Sequence, residues 1–188
     1  YDTVADALRF GAFQVVSIIT TTGYVTADYE LWPSYTQFLL LLLMFVGACA
    51  GSTGGGIKNL RLMVLARHVK AELSSILHPR AIVQVKVGGK VAGKDIIASV
   101  TSFFILYMAL FTAGTLFMAA LGLDILTSLS SVAATLGNIG PGLGGVGPMR
   151  NYADIPQTGK WVLSLLMLMG RLELYTVVVL FVPETWRR

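Results

Sequence analysis

The longest uncharged run extends from Ile96 to Leu123, 28 residues without an Asp, Glu, Lys or Arg. A helix needs roughly 20 apolar residues to cross a bilayer, so this run predicts a crossing helix. A second uncharged stretch, Leu31 to Ile57, contains Leu39-Leu40-Leu41-Leu42-Leu43-Met44-Phe45-Val46. A third, Trp161 to Val182, is interrupted only by Arg171 and Glu173. Three crossing segments are expected. Two more stretches, Phe10 to Tyr24 and Ile125 to Met149, are too short or too glycine-rich to cross. Each reads as a short helix that collapses into irregular backbone, which survives at membrane depth only when buried in protein or lining a water-filled cavity.

These two short segments echo each other. Ser17-Ile18-Ile19-Thr20-Thr21-Thr22-Gly23 aligns with Ser131-Val132-Ala133-Ala134-Thr135-Leu136-Gly137 at an offset of 114, with Ser, Thr and Gly in register. Each is followed by a loop and then a crossing segment, the kind of internal duplication on which transport folds are built. Composition agrees: of 188 residues, 55% are hydrophobic and 13% charged, against about a quarter charged in soluble domains. The single cysteine, Cys49, excludes an intrachain disulfide and reads as a small packing residue. The start, Tyr1-Asp2, has no Met and no basic stretch ahead of an apolar core, and reads as that of a fragment or processed product rather than a signal peptide.

Charge placement predicts an orientation. Lys58, Arg61, Arg67, Lys70, Arg80, Lys86, Lys90 and Lys94 lie in one stretch, opposed there only by Glu72, and the chain closes with Arg187-Arg188. By the positive-inside rule the 58–94 loop and the C-terminus are cytoplasmic. Asp2, Asp6, Asp28, Glu30, Asp124 and Asp154 flank the short segments, so both glycine turns enter from outside through an acidic mouth. Such a mouth concentrates cations, although any one of these acids can simply solvate a loop.

A cation crossing a bilayer exchanges its hydration shell for backbone carbonyls, and glycine permits the dihedrals that aim carbonyls at an axis. Thr20, Thr21, Thr22, Gly23 and Tyr24 form one such turn, and Thr135, Leu136, Gly137 and Asn138 the other. The competing reading of either is a glycine C-cap. Five glycines between Gly47 and Gly56 should melt the second uncharged segment near mid-membrane, at up to ~1 kcal/mol each relative to alanine. A close-packing patch for a neighbouring helix is the alternative there. Arg171, a cation within an apolar segment, is a functional candidate; pairing with Glu173 is disfavoured because residues two apart lie on different helix faces.

Taken together, Thr20-Thr21-Thr22-Gly23-Tyr24, Gly51-Ser52-Thr53-Gly54-Gly55-Gly56-Ile57-Lys58, Ala134-Thr135-Leu136-Gly137-Asn138-Ile139-Gly140-Pro141 and Met169-Gly170-Arg171-Leu172-Glu173 resemble the Trk/Ktr/HKT superfamily, nearest its bacterial Trk-type potassium uptake subunits. The resemblance implies an all-α membrane protein of helix–pore loop–helix repeats, like a potassium channel, with two of an expected four repeats present. Residues 1–73 would be the third repeat's pore helix, filter and broken second helix, 74–94 a cytoplasmic basic loop, and 95–188 the fourth repeat. It implies potassium ions bound by Thr21, Thr22, Gly23, Tyr24, Thr135, Leu136, Gly137 and Asn138. It also implies a gate in which Gly51, Ser52, Thr53, Gly54, Gly55 and Gly56 obstruct the inner pore, with pore-facing Arg171 repelling potassium and holding the loop by its carbonyls. The protein would sit in the bacterial plasma (inner) membrane among lipid, dimerise as a full-length subunit, and meet a cytosolic nucleotide-binding regulatory subunit.

Other signals are weaker. Gly51, Gly56 and Lys58 miss a phosphate-binding loop because Ile57 stands where its lysine belongs, and Gly142 to Gly147 matches a dinucleotide motif only by letter. His68 and His78 have no cysteine near them and predict no metal site. The basic loop can bind anionic lipid or nucleotide, with a plain topology signal as the simpler reading. No enzyme, organic cofactor or nucleic-acid partner is expected. Besides potassium permeation, two alternatives stand: a secondary transporter whose broken helices bind another small solute, and a non-conducting structural subunit. A transporter for anionic solutes would turn helix N-termini toward its ligand.

Overall fold

The computed structural model describes residues 1, 3–78, 84–172, 174–180 and 183–186, apart from the side chains of 90, 183 and 184. Asp2, Arg80, Glu173, Arg187 and Arg188 therefore lie outside the described residues, as does the end of the third uncharged segment. Seven helices occur among the described residues: α1 (Val4–Ile19), α2 (Ser34–Leu43), α3 (Asn59–Leu77), α4 (Lys94–Ala120), α5 (Ile125–Leu136), α6 (Gln157–Arg171) and α7 (Tyr175–Leu180).

α4 takes up nearly all of the 28-residue uncharged run, and among the described residues it alone is long and apolar enough to cross a membrane. The other two expected crossings are not continuous helices. α2 stops at Leu43, and the chain leaves helical geometry until Asn59. Residues 48–56 form a closed excursion whose ends are stitched by a two-residue parallel pairing of β1 (Val46–Gly47) with β2 (Ile57–Lys58). α6 ends at Arg171, and α7 begins only at Tyr175. Arg171 thus sits at a helix end rather than in the middle of a long helix, where a cation complements the negative end of the dipole.

The 58–94 segment is more structured than a loop. Helix formers without Gly or Pro carry α3 to Leu77, assisted by a 3.9 Å approach of His68 Nδ1 to the Glu72 carboxylate one turn on. Beyond it, β3 (Lys86–Val87) and β4 (Lys90–Val91) pair antiparallel around Gly88-Gly89, both at positive φ (59° and 80°), the tight hairpin turn that two glycines favour.

α5 is the centre of the packing. One of its sides gives Val132 and Leu136 to a core shared with Phe103, Tyr107 and Met118 of α4 and Leu163, Leu166 and Met169 of α6. Ala133 and Ala134 give the other side to a core with Ile18 of α1, Leu40 of α2, Tyr29, Met44, Ile139 and Leu143. Residues 127 to 137 are buried except Leu129. One short helix is therefore the common wall of both halves, and it fixes where the following turn lies. Cys49 is exposed, against the expectation of a packing residue, because it lies on the 48–56 excursion outside both cores.

Candidate functional site

α1 and α5 end in the same way. Thr20 and Gly137 are the helical C-caps (φ −79° and −77°), and the next residues, Thr21 and Asn138, both take φ 55°. Glycines follow at positive φ two residues later, Gly23 at 75° and Gly140 at 107°. The backbone bonds agree pair by pair. Thr20 N–H donates to Val16 O at 2.9 Å, as Gly137 does to Ala133 O. Thr21 N–H donates to Ile18 O at 3.1 Å, as Asn138 does to Thr135 O at 3.0 Å, and Thr22 N–H to Ser17 O at 2.9 Å, as Ile139 does to Ala134 O at 2.8 Å.

These matches put the two turns at an offset of 117 (137 minus 20), not the 114 that the Ser, Thr and Gly letters suggested. Thr20-Thr21-Thr22-Gly23-Tyr24 therefore corresponds to Gly137-Asn138-Ile139-Gly140-Pro141. Thr135 and Leu136 belong to α5 itself. The Thr135 hydroxyl donates back to Ser131 O at 2.7 Å, and Leu136 is wholly buried in the core. Gly137 has helical φ, so its small size serves packing: a Cβ there would lie 2.9 Å from both the Ala133 and Met44 carbonyl oxygens. The left-handed glycine of the second turn is Gly140, which the sequence register passed over. The available signal was Asn138, since asparagine enters the left-handed region more readily than other residues with a side chain.

The turns meet. A Cβ on Gly23 would overlap the Ile139 carbonyl oxygen and come within 3.2 Å of the Pro141 ring. The 48–56 excursion lies against both: Gly54 faces the Thr21 hydroxyl, and a Cβ on Gly55 would overlap the Gly137 carbonyl. Arg171 closes the group from α6 by donating a guanidinium hydrogen to Thr53 O. Ser52, Thr53, Gly54, Gly56, Gly170 and Arg171 border a cavity of about 160 Å³, into which Lys58 and Arg61 also reach. The Arg61 guanidinium lies 3.9 Å from the Phe103 ring centroid. Gly51 stands apart, exposed with open space around it. Every gate candidate except Gly51 is thus gathered within one group beneath the two turns.

Asn138 ties its turn to α6 through Nδ2 to Met167 O at 3.0 Å. The loop beyond is anchored by Ser130 Oγ to Leu143 O at 2.7 Å, Tyr152 Oη to Gly140 O at 2.6 Å and Tyr29 Oη to Gly142 O at 3.0 Å. Burial pushes the hydroxyls of Tyr29 and Tyr152 upward in pKa, so both remain donors. The acids have local roles. Asp124 caps α5 by accepting from Thr127 N–H at 3.0 Å, and bonds from the Thr127 hydroxyl and amide hold its carboxyl below the usual carboxylate range. Asp28 caps the short helix Tyr29–Leu31, and Glu30 lies 4.0 Å from Arg150. No metal-binding cluster of His, Cys, Asp or Glu occurs among the described residues.

The described residues define a mainly helical fold in which paired helix-ending turns lie against the 48–56 excursion. The sequence profile gives the family: the chain belongs to the TrkH family, described as cation transport proteins, with residues 3–188 matched. It is 44% identical to the Trk system potassium uptake protein TrkH of Halomonas elongata, over 100% of this chain and 38% of the relative's length. The crystal structure of the potassium transporter TrkH from Vibrio parahaemolyticus matches with a TM-score of 0.91 at 42% identity, covering 100% of this chain and 40% of that one. The Escherichia coli Trk system potassium uptake protein TrkG is 39% identical over 93% of this chain and 36% of its own length. The chain spans about two fifths of the length of the curated relatives it matches.

Proposed function

We propose that this chain is the part of an inner-membrane potassium uptake protein that supplies two of four selectivity-filter turns and the gate beneath them. In their structural register the turns are Thr20–Tyr24 and Gly137–Pro141, with carbonyls from Thr21, Thr22, Gly23, Asn138, Ile139 and Gly140 as candidate potassium ligands. The observation that carries this reading is the pair of matched left-handed turns in contact at Gly23 and Ile139. Thr21 is β-branched and still adopts φ 55°, a conformation such residues avoid and that is retained mainly at functional sites. Both turns follow helix C-termini, so the negative dipole ends face them, which favours a cation and disfavours a solute-binding site built on helix N-termini.

Residues 51–56 act as the gate, and Arg171 holds them shut through Thr53 while its charge repels potassium. A structural subunit would have no use for that arrangement. Residues 58–94 and the C-terminus face the cytoplasm. There the full-length dimer meets a nucleotide-binding regulatory subunit, as the family resemblance implies. No catalytic step is proposed.

Tracer potassium flux into liposomes carrying the full-length parent, with sodium competition, tests the reading. Gly23→Ala with Gly140→Ala should abolish selective flux. Arg171→Ala should raise flux several-fold, and unchanged flux in that variant would remove the arginine from the gate. A parent protein that carries no potassium overturns the function as a whole.

A further inference from the structure

The hairpin and α3 enclose chemistry that permeation does not use. Arg67 on α3 donates a guanidinium hydrogen to the Lys86 carbonyl, fastening β3 to the helix. Arg67, Lys70 and Lys86 line a cavity of about 280 Å³ together with Ser74 and Gln84, and no carboxylate borders it among the described residues. Ala71, Gln84 and Val85 are shared with a larger cavity of about 760 Å³, which continues over Val91, Ala92, Ile97 and Ala98 onto the first turns of α4. His68, Glu72 and Lys94 also border the larger cavity, and the carboxylate there stands beside the His68 imidazole at 3.9 Å.

We propose that these joined cavities bind one anionic phospholipid, its phosphate among Arg67, Lys70 and Lys86 and an acyl chain along Ala98 and Ile97 of α4. The charge selects an anion, because three cations border the smaller cavity and no carboxylate does among the described residues. The apolar continuation selects a lipid over a free phosphate or nucleotide, because a soluble anion would leave that wall empty. The level suits a headgroup: the hairpin immediately precedes α4, which starts at Lys94, turns uncharged from Ile96 and is only 11% buried over its most apolar window. Basic pockets beside the ends of membrane helices are where anionic headgroups bind. The site rests on the membrane location proposed above but not on the filter or the gate.

Native mass spectrometry of the detergent-purified full-length protein, titrated with defined lipids, tests this without reading flux. Phosphatidylglycerol should be retained and phosphatidylcholine lost under the same activation. Lys70→Gln with Lys86→Gln should weaken phosphatidylglycerol binding by about tenfold, each cation near an anionic surface contributing appreciably. Lys86→Gln alone should give a smaller loss and covers the case in which the double variant fails to fold. Ala98→Trp fills the apolar part and leaves the cations, so it should weaken lipid binding too. Equal retention of both lipids, unaltered binding by the lysine variants, or displacement of the lipid by glycerol phosphate or ATP at matched concentrations overturns the proposal.

Discussion

The turn closing α1 and the turn closing α5 share a backbone path but are held by different means. The first rests on threonines: Thr20 and Thr22 hydroxyls lie 2.8 Å apart, Thr20 also reaches Val16 O, and Ser17 Oγ donates to Tyr24 O at 2.7 Å. Most of these bonds are local, and Thr20, Thr22 and Tyr24 are exposed. The second is held from a distance by Tyr152 and the Met167 carbonyl, with Tyr29 and Ser130 anchoring the loop that continues it, and Gly137 and Ile139 are buried. The same dihedrals can therefore be imposed by hydroxyls within the turn or by the packing of a whole core. A turn of the second kind should tolerate far less change in its surroundings.

The contrast is broken most severely at α6. A Cβ on Gly170 would overlap the Leu136 carbonyl oxygen and approach Asn138 Nδ2 to 2.9 Å, and the backbone on the far side cannot move without displacing α5. Gly170→Val is expected to cost about 3 kcal/mol or more, read as a large fall in the thermal midpoint of the full-length protein. Thr22→Val, on the exposed first turn, should stay within about 0.5 kcal/mol. Equal effects would mean that the two turns are supported alike.

The register is sharpened by the next pair of variants. Gly140 has open space beside it, so Gly140→Ala tests φ 107° alone, at roughly 1–3 kcal/mol of backbone strain. Its potassium-over-sodium discrimination should collapse, whereas Thr135→Val, which alters a hydroxyl bonded to its own helix, should retain it. The opposite result would restore the 114 offset. Smaller still is Tyr152→Phe, which deletes one hydrogen bond to Gly140 O for about 1 kcal/mol. It should reduce discrimination modestly, and Tyr24→Phe should not, since the bond in the first turn uses the Tyr24 carbonyl rather than its ring.

What could be read from the sequence follows from what each residue pattern constrains. The uncharged run predicted α4 because length and absence of charge suffice to define a crossing helix. The glycines of 47–56 predicted a break because they disfavour helix whatever surrounds them. The end of α6 at Arg171 was hidden, since the apolar residues on both sides continue the pattern of a single helix. The letters Ser, Thr and Gly point to a different register from the backbone, because the shared feature is a dihedral taken by Thr21 and Asn138. The hairpin is legible in Gly88-Gly89 between two Lys-Val pairs, although the same lysines also carry a topology signal.

An effect of about the same size as that of Tyr152→Phe concerns the helix starts. α1 is capped by Thr3, whose hydroxyl accepts from Asp6 N–H at 3.1 Å, and α5 by the Asp124 carboxylate. Bonds from Thr127 depress the folded pKa of Asp124, so the folded state binds a proton there less readily than the unfolded chain. Its stabilisation is complete above the unfolded value of about 4. It is lost progressively as pH falls below that value and through the lower folded pKa. Asp124→Ala should cost about 1 kcal/mol at neutral pH, and less in acid, where the wild-type cap is itself protonated. Asp124→Asn keeps an acceptor and should hold stability near neutrality while flattening that part of the acid dependence. Thermal midpoints at neutral pH and near pH 3 for the three proteins decide the matter: an alanine variant whose deficit does not shrink in acid would show that the carboxylate's charge contributes nothing to holding α5, and with it the second turn, in place.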